Sequence, residues 1–116
     1  MKRGDVVLVK VPFVGAPGSK LRPALVVQSD ALHRLIRETI IAAITSNLSN
    51  AHQPHQLLIE VSTPDGAASG LLTDSAVRCE RLHTVPQTDV RQVIGRLSAA
   101  LMDEIDDCLK AALEIS

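Results

Sequence analysis

Tryptophan and tyrosine are absent from this chain, and phenylalanine occurs once, at Phe13. A core without rings must be built from Leu, Ile, Val and Ala. No apolar run reaches the length of a membrane span, and the opening MKRGDVVLVKVPF lacks the unbroken apolar stretch of a signal peptide. Those absences point to a cytoplasmic protein with no membrane partner. The two cysteines, Cys79 and Cys108, form no CxxC pair and have apolar neighbours, so they read as reduced, buried thiols. There is no glycine-rich phosphate loop of the Walker or Rossmann kind and no nucleophile elbow. His52 and His55 lie around Pro54 in a polar loop without a cysteine or carboxylate at ligand spacing, and His33 and His83 are isolated. The expectation is no metal site and no cofactor.

What is present fits one domain spanning residues 1–116, with 46% hydrophobic residues. The net charge of −1 hides a segregation. Residues 98–116 hold Asp103, Glu104, Asp106, Asp107 and Glu114 against Lys110 alone, a net of −4, which leaves +3 on residues 1–97. A mildly basic body suits a local anion site but gives no broad footprint for duplex DNA.

Alternation and β-branched enrichment predict strands at Asp5–Val11, Ala24–Gln28, Thr39–Thr45, Gln56–Val61, Ser75–Val85 and Gln92–Leu97. The Gly/Pro-rich stretch Phe13–Leu21 reads as a mobile loop, DALHRLIRE as at most a helical turn, and STPDGAASG as turn chemistry. After Ser98, a good N-cap, apolar residues recur at Leu101, Met102, Ile105, Cys108, Leu109, Ala112 and Leu113. This is a helix with its acids on the other face. Short strands closed by one amphipathic helix predict a mainly β fold, a small barrel with a C-terminal α-helix.

Three stretches carry polar groups at strand ends: KLRP with Arg22, AAITSN with Thr45 and Ser46, and VRCER with Arg78 and Glu80. Arg22 stands where a loop meets an apolar strand, behind Pro23 as its first residue. A guanidinium there needs an anion, from inside the protein or from outside. Arg78 and Glu80, two apart on a strand, face one side, while Cys79 faces the other. On the residues alone that is first an ordinary same-face ion pair.

Together with KRGDVVLVKVPF, RPALVVQSD, IIAAITS, GLLTDSAVRCERLHTV and IGRLSAALMDEIDDCLKAAL, these stretches resemble the MazF/PemK family of toxin endoribonucleases over nearly the whole chain. The resemblance implies an SH3-like barrel of the MazF/PemK/CcdB type, working as a homodimer. It implies metal-independent cleavage of single-stranded RNA by 2′-OH attack, leaving a 2′,3′-cyclic phosphate. The implied partners are that RNA and a cognate antitoxin, with operator DNA reached only through the antitoxin. It places catalytic roles on Arg22, Thr45, Arg78 and Glu80, and substrate contacts on Lys20, Ser46 and Arg81. Glu80 stands where the PemK-like branch has Asp, one methylene shorter, and Ala16 stands where that branch has a loop histidine.

Two other classes share the fold. A gyrase-poisoning toxin binds a protein and cleaves nothing, but its helix ends in a Trp-Gly-Ile tail, whereas this chain ends ALEIS. An inactive binding module is kept in view by the missing aromatics, since single-strand binders usually stack bases on rings.

Overall fold

A β-branched run at the start of the chain becomes an interior strand of the sheet, one in from an edge. In the computed structural model, which describes residues 1–13 and 15–116, strand β1 (Asp5–Pro12) pairs with β2 (Ser19–Val26) on one side and β6 (Val90–Arg96) on the other. Between them come α1 (Asp30–His33), β3 (Glu38–Thr45), β4 (Gln56–Ile59), α2 (Pro64–Ala68), β5 (Ser75–Pro86) and a single 3₁₀ turn (Gln87–Asp89). The chain ends in α3 (Ala99–Leu113), whose first turn is capped by Ser98 Oγ accepting from the Leu101 amide at 3.2 Å. All strand pairs are antiparallel, in the order β4-β5-β3-β2-β1-β6.

Alternation sends side chains to both faces, and both are buried at the centre. One face brings Val6, Leu25, Ala42, Ile44, Ile59, Val77 and Cys79 against Ile105 and Cys108 of α3, with Leu101, Met102, Leu109 and Ala112 packed around them. The other gathers Val7, Val9, Ala24, Val26 and Ile41, with Val85 and Val90. Each buried aliphatic contributes roughly 1.5–3 kcal/mol. The ion pair that ties α3 to the N-terminus, Arg3 to Asp106 at 2.6 Å, is partly exposed and is worth about 0–1 kcal/mol. Apolar packing therefore holds the helix.

The mainly β fold with a C-terminal helix is as expected, but the circle is not closed by hydrogen bonds. Among the described residues the edge strands β4 and β6 form no ladder with each other. The sheet curls instead, and the chain after α2 bridges toward β6. A Cβ added to Gly95 would lie 2.4 Å from the Ser69 backbone, and one added to Gly70 would lie 2.0 Å from the Ile94 carbonyl oxygen. Gly70 also needs its positive φ of 74°.

Two expectations change at the front of the chain. Strand β2 begins at Ser19, not Ala24, because the hairpin ladder with β1 runs out to Pro12↔Ser19. The expected mobile loop Phe13–Leu21 therefore shrinks to the turn that ends at Gly18; Val14 within it lies outside the described residues. Pro23 is not the first residue of its strand either. It sits inside β2 opposite Leu8, where the β3 ladder has already stopped at Ala24, so one side of β2 needs no donor from it.

Gly95→Ala should destabilise the fold by about 3 kcal/mol, because backbone rather than a yielding side chain occupies the space. Denaturant unfolding of the variant measures this, and a change within about 0.5 kcal/mol would show the contact to be slack. Burial is also the main force pushing the Cys79 thiol up to about 12, helped by Cys108 and the Glu80 carboxylate beside it. Neither Cys79 nor Cys108 should alkylate in the folded protein at mildly alkaline pH, while both should react in denaturant.

Candidate active site

The register decides which polar side chains meet. Ala24 of β2 lies opposite Ala43 of β3, and Ala43 lies opposite Arg78 of β5, which in turn lies opposite Gln56 of β4. Opposite residues in antiparallel strands share a face. Thr45, paired with Ala76, is two residues beyond Ala43 and so shares it too. Extending the β2–β3 register by two residues sets Arg22 across from Thr45. Arg22 and Arg78 thus stand on strands two spacings apart, about 10 Å. Between them the floor is Ala24 and the half-buried Ala43, which leaves an open trough.

Strand β5 bends at this place. Its register with β3 steps from Ala42↔Leu82 to Ala43↔Arg78, so Cys79, Glu80 and Arg81 have no partner on β3. The Cys79 amide donates instead to the His55 carbonyl at 3.0 Å. Across this step the side chains of Arg78 and Glu80 do meet, with Nε 3.1 Å from Oε2. The same Oε2 accepts from Gln56 Nε2 at 3.0 Å. Burial works to raise the Glu80 carboxyl. The backbone N–H of Glu80, the Gln56 amide and the Arg78 guanidinium outweigh it and hold the group below its ordinary value of 4.5.

Arg22 differs from Arg78. It is exposed, and among the described residues it has no carboxylate within ion-pairing distance. The anion it was expected to need is not supplied by any of the described residues. With Thr45 and Ser46 it rims a cavity of about 480 Å³. The walls include Leu8, Pro23, Ile44, Leu71 and Ile94. Arg78 and Glu80 do not line this cavity, so the five residues form two adjoining clusters joined along one sheet face.

Lys20 lies two residues from Arg22 on β2 and holds its ammonium 5.8 Å from the Phe13 ring centroid. Arg81 is exposed in the β5 bulge. Sequence reasoning passed over Gln56, which reads there as a strand's first residue, and the Leu71–Thr73 wall. No spacing signal joins either to Arg22 or Glu80; only pairing and curl do.

A family model described as "PemK-like, MazF-like toxin of type II toxin-antitoxin system" matches residues 2–113. Endoribonuclease EndoA of Bacillus subtilis (strain 168) is 31% identical over 116 residues, covering 99% of this chain and 96% of that protein. Endoribonuclease MazF6 of Mycobacterium tuberculosis (strain ATCC 25618 / H37Rv) is 34% identical over 105 residues, covering 90% and 88%. Among solved structures, a mycobacterial endoribonuclease in complex with its cognate antitoxin gives a TM-score of 0.79 over 100% of this chain and 97% of that one, at 19% identity. A MazE–MazF crystal structure from Deinococcus radiodurans gives 0.77 over 100% and 98%, at 17% identity. The structural likenesses speak for the fold.

The carboxyl of Glu80 should titrate below 4.5, and Arg78→Ala should raise it, since one of the groups favouring its charged form is gone. Carbon-13 detection of the side-chain carboxyl follows this directly. A midpoint unmoved by Arg78→Ala would mean that the 3.1 Å pair does not persist in solution.

Proposed function

This chain belongs to the PemK-like, MazF-like toxins of type II toxin–antitoxin systems, and from that membership we propose that it is an endoribonuclease that cuts single-stranded RNA without a metal. The observation that carries the reading is the Glu80 carboxylate, ionised at neutral pH and held by Arg78, whose strand lies across an alanine floor from that of Arg22, an arginine without a carboxylate partner among the described residues. Such a pair suits phosphodiester cleavage by the neighbouring ribose. Glu80 takes the proton of the 2′-OH, and O2′ attacks the adjacent phosphorus. The P–O2′ bond forms as P–O5′ breaks, giving a 2′,3′-cyclic phosphate and a 5′-OH after a proton reaches the leaving oxygen.

Arg22 clamps the phosphate through its planar fork and stabilises the added charge of the phosphorane. Arg78 serves the same charge; it holds its proton too tightly to be the acid, and water delivers that proton. Thr45 and Ser46 offer hydroxyls at the trough's edge, and Lys20 and Arg81 extend positive charge along the strand. A lone carboxylate beside a cation suits proton transfer rather than a divalent ion, which wants several anionic oxygens.

In this reading residues 1–116 act as one toxin domain, in the cytoplasm, as a homodimer restrained by an antitoxin. The charge segregation favours an antitoxin that lays an acidic segment across the basic body. Similar solved structures, an endoribonuclease in complex with its cognate antitoxin among them, support such a partner. The relatives named above are endoribonucleases, which does not favour the protein-binding alternative.

RNA should be cut in excess EDTA, leaving a 2′,3′-cyclic phosphate, and a single deoxyribose 5′ to the scissile phosphate should permit binding but not reaction. Glu80→Gln should lose about two orders of magnitude or more in rate. Arg22→Lys should also be slow, because a point charge cannot replace the fork. Cleavage of the deoxy substrate would sink the mechanism.

A further inference from the structure

Gln56 is a buried amide with half of its hydrogen bonding unmet. Its side chain is 5% exposed as a residue, its Nε2 donates to Glu80 Oε2, and its Oε1 is buried with no hydrogen-bond partner. A leucine or methionine would fill the same volume without an orphaned acceptor, so the amide costs the fold something that its one hydrogen bond must justify. Its backbone is fixed on both sides. The Gln56 amide donates to Gln53 O at 3.1 Å, and its carbonyl accepts from Cys108 Sγ of α3 at 3.5 Å. The side chain therefore starts from an anchored strand and reaches across the sheet to one atom.

That atom is the one Arg78 also touches. Both side-chain donors fall on Glu80 Oε2, at 3.0 and 3.1 Å, and neither reaches Oε1. Two donors from two strands, β4 and β5, fix the carboxylate's rotation as a single salt bridge could not. They also make the two oxygens inequivalent: one holds both side-chain donors and the other holds neither. We propose that Gln56 is a positioning residue that locks the Glu80 carboxylate so that Oε1 faces the substrate 2′-OH. This rests on Glu80 being the base of the proposed cleavage. Among the described residues the side chains that hydrogen-bond to Glu80 are Arg78 from its own strand and neutral Gln56 from β4. Helix α3 packs on the opposite face of β5, against Cys79.

Gln56→Met keeps the length and volume of the side chain and removes the donor. It should lower kcat about tenfold, as loss of one hydrogen bond to a charged group does, with KM unchanged. The acid limb of the kcat–pH profile should move to higher pH, and the Glu80 carboxyl, followed by carbon-13, should titrate higher. The melting temperature should hold or rise. Gln56→Asn keeps the amide one methylene short, should behave the same way, and stands in if the methionine variant folds poorly. A merely structural glutamine would change stability and leave the acid limb and the Glu80 titration where they were. Wild-type kcat and an unmoved acid limb in both variants, with Glu80→Gln inactive, would overturn the positioning role and leave the cleavage reading intact. Full activity in Glu80→Gln would overturn that reading and this proposal together.

Discussion

The step in register between β3 and β5 is the constraint on which the site depends. Three residues of β5 go unpaired between Arg78 and Leu82, and the strand bends there. Below the bend β5 belongs to β4 and the end of β3; above it, to the start of β3. The unpaired residues would be an expensive gap if their backbone were left without partners. The His55 carbonyl takes the Cys79 amide, so the turn that leads into β4 helps hold the bend. Cys79 itself is driven into the core against α3, and that burial turns its neighbours Arg78 and Glu80 outward together. One apolar anchor thus aims two charged side chains.

Charge at the site is distributed rather than paired off. Arg78 and Glu80 form a half-exposed pair whose contribution to stability is small. It holds an ionised carboxylate whose side-chain donors share one oxygen, and across small side chains stands an arginine with no carboxylate partner among the described residues. A substrate phosphate would complete Arg22 as a carboxylate completes Arg78. Two strand spacings floored by Ala24 and Ala43 separate the strands that carry Arg22 and Arg78.

The cavity beside Arg22 owes its shape to the curl of the sheet. Its walls come from β1, β2, β3, β6 and the first residue of β5 together with the segment after α2. A flat sheet could not bring Leu8, Ile94 and Leu71 around one space. The contacts at Gly70 and Gly95 that draw β6 toward that segment are therefore felt at the mouth of the site, although neither glycine has any chemistry of its own.

Much of this was legible from residues alone. Alternation in DVVLVKV, β-branching in TIIAAIT and the spacing of Leu101, Ile105, Cys108 and Ala112 are local signals, because side-chain direction along one strand or helix follows from backbone geometry. The two-residue spacing of Arg78 and Glu80 is local in the same sense, and so their meeting could be read. Strand ends were less legible: Pro23 looks like an entry residue until the β1 ladder is seen to run past it. Gln56 was silent, because its partner is 24 positions away. Sequence determined which side chains share a face within each strand. Which strands lie side by side, where β5 slips by three residues, and hence which oxygen of Glu80 takes both side-chain donors were decided only by tertiary pairing, since cross-strand contacts depend on register and no single segment encodes it.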